Sequence, residues 1–357
     1  MKAARILAPK QFEISEIDIP SPVNENESLV KLESWSICGS DIRDAYGPLF
    51  SEENYPMRWG SHCHEAVGTI LNSNSTEYPN GQRVIVLPSP FADNSEAVPG
   101  RGGGLLAEYV IGDHSRMIKI PEHGNPEDWV MCQPSGTVLY ACQLMGTILG
   151  KNIMILGQGA IGLSFTAICS RAGARKVVAV DSLDYRLDKA KELGATDVIN
   201  YKKENLEEAI KDINGGEFPD ITVEAAGDNE AFNTSLKIVK PLGKILIFGK
   251  LPKDSKGTLA TIETEHLLLH GATIINSSAV NSGDPTGHIE RMVELKNRGW
   301  WDPSTMITHS MKFDDLQKAY DMYENREDNM IKVVPVSYTH LRAHETEADL
   351  VCRLLLE

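Results

Sequence analysis

Residues 152–165 read NIMILGQGAIGLSF, an apolar run that breaks into glycines and resumes as a helix-like pattern. Gly157, Gly159 and Gly162 stand at the G-x-G-x-x-G spacing of a strand-to-helix turn. The first glycine permits the tight turn, the second lets backbone N–H groups approach a pyrophosphate, and the third lets helix and strand pack closely. Ala160 and Ile161 open the helix, whose positive dipole end would face the phosphates. Alone, the spacing also fits an ordinary glycine-rich turn. The next apolar run, KVVAVD, adds weight because it ends in Asp181, close to the ~20-residue offset of a ribose-binding carboxylate. A carboxylate there hydrogen-bonds the adenosine 2′-hydroxyl and repels a 2′-phosphate, so NAD is expected over NADP. Arg186, on the following helix, is expected to pack along the adenosine.

Outward from this turn the same rhythm continues. DVIN, ITVEAAG and KILIFG are short buried-strand runs, with helical patterns such as YRLDKAKELGA between strands. Such alternation predicts an α/β unit with a doubly wound parallel sheet over 137–279. Upstream, SLVKLESWS, EAVGTILNS, QRVIVLP and AEYVIG alternate apolar and polar residues between turn residues, which predicts an antiparallel, barrel-like β domain over 1–136. Past residue 280 come two helical patterns, HIERMVELKNRG and DDLQKAYDMYENRE, and the strand IKVVP. Residues 280–335 are expected to return to the first domain.

At 357 residues the chain is long enough for two cores. The net charge of −15 argues against a generally basic, phosphate-binding surface and so against nucleic acid as a partner. No apolar run reaches the ~18–20 residues of a membrane span, and the N-terminus lacks a signal-peptide core, so a cytoplasmic location is expected. Six cysteines, at 38, 63, 132, 142, 169 and 352, form no C-x-x-C and are expected to be reduced.

The last stretch, VSYTHLRAHETEADLVCRLLLE at 336–357, resembles the in-frame translation of a transposase-type sequencing adapter. It is also readable as a short amphipathic helix carrying Leu350, Val351, Leu354 and Leu355 on one face. The expectation is a non-native tail, and Cys352, His340 and His344 are given no chemical role.

SICGSD places Cys38, Ser40 and Asp41 on a tight loop, and 26 residues after Cys38 the segment WGSHCHEAVG carries His62, Cys63, His64 and Glu65. With CGSD, HE-x-x-G, AEY, QP, GxGxxG and IKVVP in this order, residues 1–335 resemble the zinc-dependent medium-chain dehydrogenase/reductase family, the alcohol and polyol dehydrogenases. The resemblance implies a GroES-like β-barrel catalytic domain followed by a Rossmann domain. It implies a catalytic zinc held by Cys38, His64 and a third ligand. That ligand varies between subfamilies: in polyol dehydrogenases it is the acid beside the histidine, Glu65 here, and elsewhere a Cys or Glu where this chain has Gln133, a poorer zinc ligand. Weight therefore shifts to Glu65, with Cys132 as runner-up, and Asp41 is expected to orient the His64 imidazole. His62 is expected to line the pocket or serve as an alternative ligand, and Cys63 to be a core residue.

The resemblance further places Ser40 at the hydroxyl relay to substrate oxygen, and Thr137 and Lys332 beside the cofactor. Relatives often carry a relay histidine where this chain has Arg43, and arginine cannot act as a base. The cysteine lobe of a second, structural zinc is missing from LPSPFADNSEAVPGRGGGLLAEYV, so one zinc per chain is expected. The implied chemistry is hydride transfer between NAD(H) and a secondary alcohol or ketone, of the polyol, sugar or cyclitol type, with the chain acting as a homo-oligomer, a dimer or tetramer. Two other readings are a metal-free enoyl or quinone reductase of the same superfamily and a non-catalytic dinucleotide-binding protein.

Overall fold

A computed structural model describes residues 1–22, 24–46, 52–90, 97–250 and 261–337. Along the chain come strands β1 (Lys2–Ala8), β2 (Gln11–Glu16) and β3 (Glu27–Trp35), the helical turn α1 (Gly39–Asp41), and strands β4 (Ala66–Asn72), β5 (Arg83–Val86), β6 (Tyr109–Asp113) and β7 (Met117–Lys119), then α2 (Pro126–Val130). Next are α3 (Cys132–Met145), β8 (Asn152–Leu156), α4 (Ala160–Arg171), β9 (Lys176–Asp181), α5 (Asp184–Glu192), β10 (Asp197–Asn200), α6 (Leu206–Asn214) and β11 (Ile221–Glu224). They are followed by α7 (Asn229–Lys237), β12 (Lys244–Ile247), α8 (Thr264–His270), β13 (Thr273–Asn276) and α9 (Gly287–Asn297), and the described chain ends with β14 (His309–Lys312), α10 (Leu316–Asn325) and β15 (Val333–Val336).

The chain divides into two compact units. One holds Met1–Val130, His309–Asn325 and the chain from Val333 onward; the other holds Met131–Thr308 and Arg326–Lys332. The expected boundary at 136/137 thus falls at Val130/Met131, and the expected return at 280 begins only at His309. The physical reason is α9, which packs on α3 in the second unit. A Cβ on Gly136 would stand 2.8 Å from the Cα of Ile289, so the two helices meet almost backbone to backbone. Residues 326–332 also stay with the second unit, where the Tyr185 hydroxyl donates to the Met330 carbonyl at 3.0 Å.

In the first unit, the described strands form a mostly antiparallel sheet in the order β14-β15-β3-β4-β5-β7, with β6 also paired to β3, beside the β1–β2 hairpin. Gly68 crosses β3 so closely that a Cβ there would lie 2.2 Å from the Lys31 carbonyl oxygen, next to the register shift between Leu32 and Ser34. The loop after β5 is fastened from within: Arg101 donates to both Glu27 carboxylate oxygens at 2.8 and 2.9 Å, and both side chains are buried. The tail reading at 336–357 lies almost wholly outside the described residues; Val336, where it begins, is buried and pairs with Ser34.

The second unit holds a parallel sheet in the order β10-β9-β8-β11-β12-β13. Its strands are apolar on both faces because helices cover both. Met154, Leu156, Val178, Val180 and Ile199 point into one core with Ile210 and Ile238, while Ile153, Ile155, Val177 and Ala179 are buried as well. The order reverses beside β8, and the carboxyl ends of β8 and β11 open the crevice in which such sheets bind ligands.

Candidate active site

In the first unit, Cys38, His64 and Glu65 come together, each offering one donor atom, and the three atoms lie within 4.8 Å of one another. This is the one such group of three or more metal-type donors found among the described residues. Cys38 caps α1 in extended conformation, and Glu65 directly precedes β4. Two segments far apart in sequence are joined by the fully buried Asp41. Its Oδ2 accepts from the Cys38 backbone N–H at 3.1 Å, and its Oδ1 lies 3.2 Å from His64 Nδ1. Nε2 of His64 is thereby left to face Glu65, whose Oε1 is 3.9 Å away.

Burial opposes a charge on His64, but the Asp41 carboxylate and the Cys38 sulfur raise its pKa well above the ordinary histidine value. The Asp41 carboxylate and the Cys38 sulfur favour the charged form of the imidazole. Sulfur, imidazole nitrogen and carboxylate oxygen form a donor set that zinc accepts, with a fourth position left for water or substrate. The residues therefore fit the ion.

The neighbours separate cleanly. Cys63 is buried, and burial raises the pKa of its thiol, which donates weakly to the Ser36 and Glu65 carbonyls. It is a core residue. The His62 side chain does not join the donor group; its carbonyl accepts from the Tyr320 hydroxyl. Ser40 donates its hydroxyl to Cys38 Sγ at 3.3 Å. Arg43 lies on the turn that follows α1. Cys132 and Gln133 open α3 in the second unit, both buried, and burial pushes the Cys132 thiol up to about 12. At neutral pH such a thiol stays protonated and inert.

The glycine loop of the second unit is shaped by close approach. Gly157 has φ +89° and passes Ala226 so tightly that a Cβ would stand 2.8 Å from its backbone nitrogen. A Cβ on Gly162 would strike the Gly157 carbonyl at 1.8 Å. Gly159, the N-cap of α4, faces open space whose nearest atom is Arg186 Nη1 at 4.0 Å. That space, over the N-terminus formed by Ala160 and Ile161, is the cradle a pyrophosphate requires.

Asp181 ends β9 with its carboxylate accepting from the backbone N–H groups of Gln158, Ser182 and Leu183, 3.7 Å from Arg186 Nη1. The carboxylate thus locks the glycine loop to the end of β9, with the Arg186 cation beside it. Thr137 donates its hydroxyl to the Pro134 carbonyl within α3. Lys332 is buried, and its backbone pairs with Thr308. The sequence gives little sign of the Ala225–Gly227 turn that abuts Gly157; a run of small residues after a strand was its only mark.

Comparisons with known proteins follow the same division. A family model described as "Alcohol dehydrogenase GroES-like domain" matches residues 24–122, and one described as "Zinc-binding dehydrogenase" matches residues 160–295. The chain is 27% identical to an alcohol dehydrogenase of Cupriavidus necator over 93% of this chain and 98% of that one. It is 29% identical to an L-threonine 3-dehydrogenase of Stenotrophomonas maltophilia over 89% and 94%. Among solved structures, an Escherichia coli oxidoreductase/dehydrogenase of unknown specificity superposes with a TM-score of 0.82 at 27% identity, covering 94% of this chain and 99% of that one.

Proposed function

This chain belongs to the zinc-dependent medium-chain dehydrogenase family, and from that premise we propose that it oxidises a secondary alcohol of the polyol, sugar or cyclitol class to the ketone, with NAD as acceptor and one zinc per chain. The observation that carries the reading is the Cys38, His64 and Glu65 donor group, complete without a contribution from Gln133. A metal-free reductase would have no use for these three side chains converged and tied together by Asp41.

When bound, zinc supplies Lewis acidity that lowers the pKa of the substrate hydroxyl, and the nicotinamide accepts the hydride. Asp41 holds His64 so that Nε2 and not Nδ1 faces the donor group. Ser40, which donates its hydroxyl to Cys38 Sγ, takes the substrate's proton onward in our reading. Gly159 and the N-terminus of α4 bind the pyrophosphate, with Thr137 and Lys332 as further cofactor contacts, and Asp181 with Arg186 reads the adenosine ribose. NAD is favoured because a 2′-phosphate would meet the Asp181 carboxylate, although Arg186 softens that repulsion. We also place the enzyme in the cytoplasm as a homo-oligomer; no helix among the described residues is long and apolar enough to cross a membrane.

The test is metal analysis of the purified protein with a panel of polyols and sugar alcohols, each followed by NADH and NADPH absorbance. About one zinc per chain and turnover with NAD are expected. Glu65→Gln should weaken zinc binding by about 10-fold or more and turnover with it, on the scale of lost metal contacts. A protein that binds NADH but no metal would sink the reading.

A further inference from the structure

The donor group sits on two segments that meet at the ends of the paired strands β3 and β4, where the Ser36 backbone N–H donates to the Glu65 carbonyl at 2.9 Å, and α10 touches both from outside. Gln317, Tyr320, Asp321 and Glu324 recur at i, i+3, i+4 and i+7 and share one face of the helix. Tyr320 is fully buried and donates its hydroxyl to the carbonyl of His62 at 3.1 Å, two residues before the ligand His64.

 The Asp321 carboxylate accepts a hydrogen bond from the hydroxyl of Tyr46, the residue that closes the turn after α1. Gln317 donates to the Tyr46 hydroxyl at 2.5 Å and to the Lys10 carbonyl at 3.0 Å, and Glu324 pairs with Lys10 at 2.7 Å. The Tyr320 ring is itself wedged, edge-on to Phe12 at 4.7 Å and tilted against Tyr46 at 5.3 Å. One helix face therefore reaches the Cys38 side through Tyr46 and the His64 side through His62.

We propose that α10 is a shared brace for the two metal-binding segments, and that Tyr320 is a positioning residue that sets how tightly the donor group takes its metal. The inference rests on the zinc reading given above and deepens it. Asp41 fixes the two segments from inside through one carboxylate. Without the outer brace the His62 carbonyl loses its partner, and the backbone that aims His64 gains freedom that metal binding must then remove.

The test uses the full chain, stripped of metal and titrated with zinc against a chromophoric chelator, then with cobalt(II) as a spectroscopic probe. Tyr320→Phe keeps the ring and removes only the bond to His62. It should weaken zinc binding by about 10-fold, at the low end of what lost support around a metal ligand costs, and shift the cobalt ligand-field bands. Phe12→Leu, on the same ring but bonded through its side chain to neither segment, should lower the melting temperature and leave zinc affinity unchanged. Asp321→Ala should weaken zinc binding, and Asp321→Asn, which keeps an acceptor for Tyr46, should restore it; this pair decides the matter if Tyr320→Phe does not fold. Unchanged zinc affinity and cobalt spectra across Tyr320→Phe and Asp321→Ala would overturn the brace while leaving the zinc reading intact. A parent protein that binds neither metal would overturn both.

Discussion

In the second unit the glycine loop is built from the backbone of one continuous strand, turn and helix, from Asn152 to Arg171. In the first unit the donor atoms are side chains on two separate segments, which meet because β3 pairs with β4 and because Asp41 bonds to one segment and lies beside the imidazole of the other. A backbone site is specified by glycines at fixed offsets, since only they allow the approach. A side-chain site is specified by tertiary contacts, and its residues can be read singly without revealing which of them converge. The first kind fails by strain and the second by loss of a donor.

Removing a donor should give the largest effect. Cys38→Ala is expected to bring bound zinc to near zero and to cut turnover by about a thousandfold, the scale of losing several kcal/mol of charge stabilisation. NADH binding, followed by fluorescence, should stay at the parental level, and a parallel loss of NADH affinity would show that the two sites are not independent in this way. Straining the backbone site should cost less. Gly157→Ala places a Cβ against Ala226 at a φ of +89° and is expected to destabilise the protein by about 2–4 kcal/mol. Denaturant unfolding would measure it, with NADH affinity falling and zinc content unchanged.

The smallest effect concerns pH. His288 is buried on α9 in the second unit, and burial lowers its pKa despite the Asp284 carbonyl and carboxylate. The folded state therefore resists protonation that the unfolded chain accepts, so stability present above the unfolded value of about 6.5 is lost as pH falls toward the folded value. His288→Gln should flatten that acid-side loss in denaturant midpoints between neutral and mildly acidic pH. An unchanged slope would assign the loss to other groups.

Much of the architecture was legible because buried strands must be apolar. NIMIL, KVVAVD, DVIN, ITVE and KILI became β8 to β12, with ends close to the apolar runs. The return to the first unit was not legible, because HIERMVELKNRG has the same periodicity whichever unit it packs on. Its seat is decided by Gly136, 153 positions upstream of Ile289, whose backbone it approaches. In the site, the spacing of Cys38, His62, Cys63, His64 and Glu65 offered more donors than one ion can use. Resemblance ranked them, and the convergence in space gives that ranking a geometric basis. Tyr320 carried no signal at all: nothing local marks a tyrosine on an amphipathic helix as the partner of a carbonyl 258 positions away.

The Arg101–Glu27 pair closes the loop after β5 with groups that arrive in the chain itself. A segment fastened by a buried ion pair depends on both partners at once, so that loss of either one strands the other as an uncompensated charge in the interior.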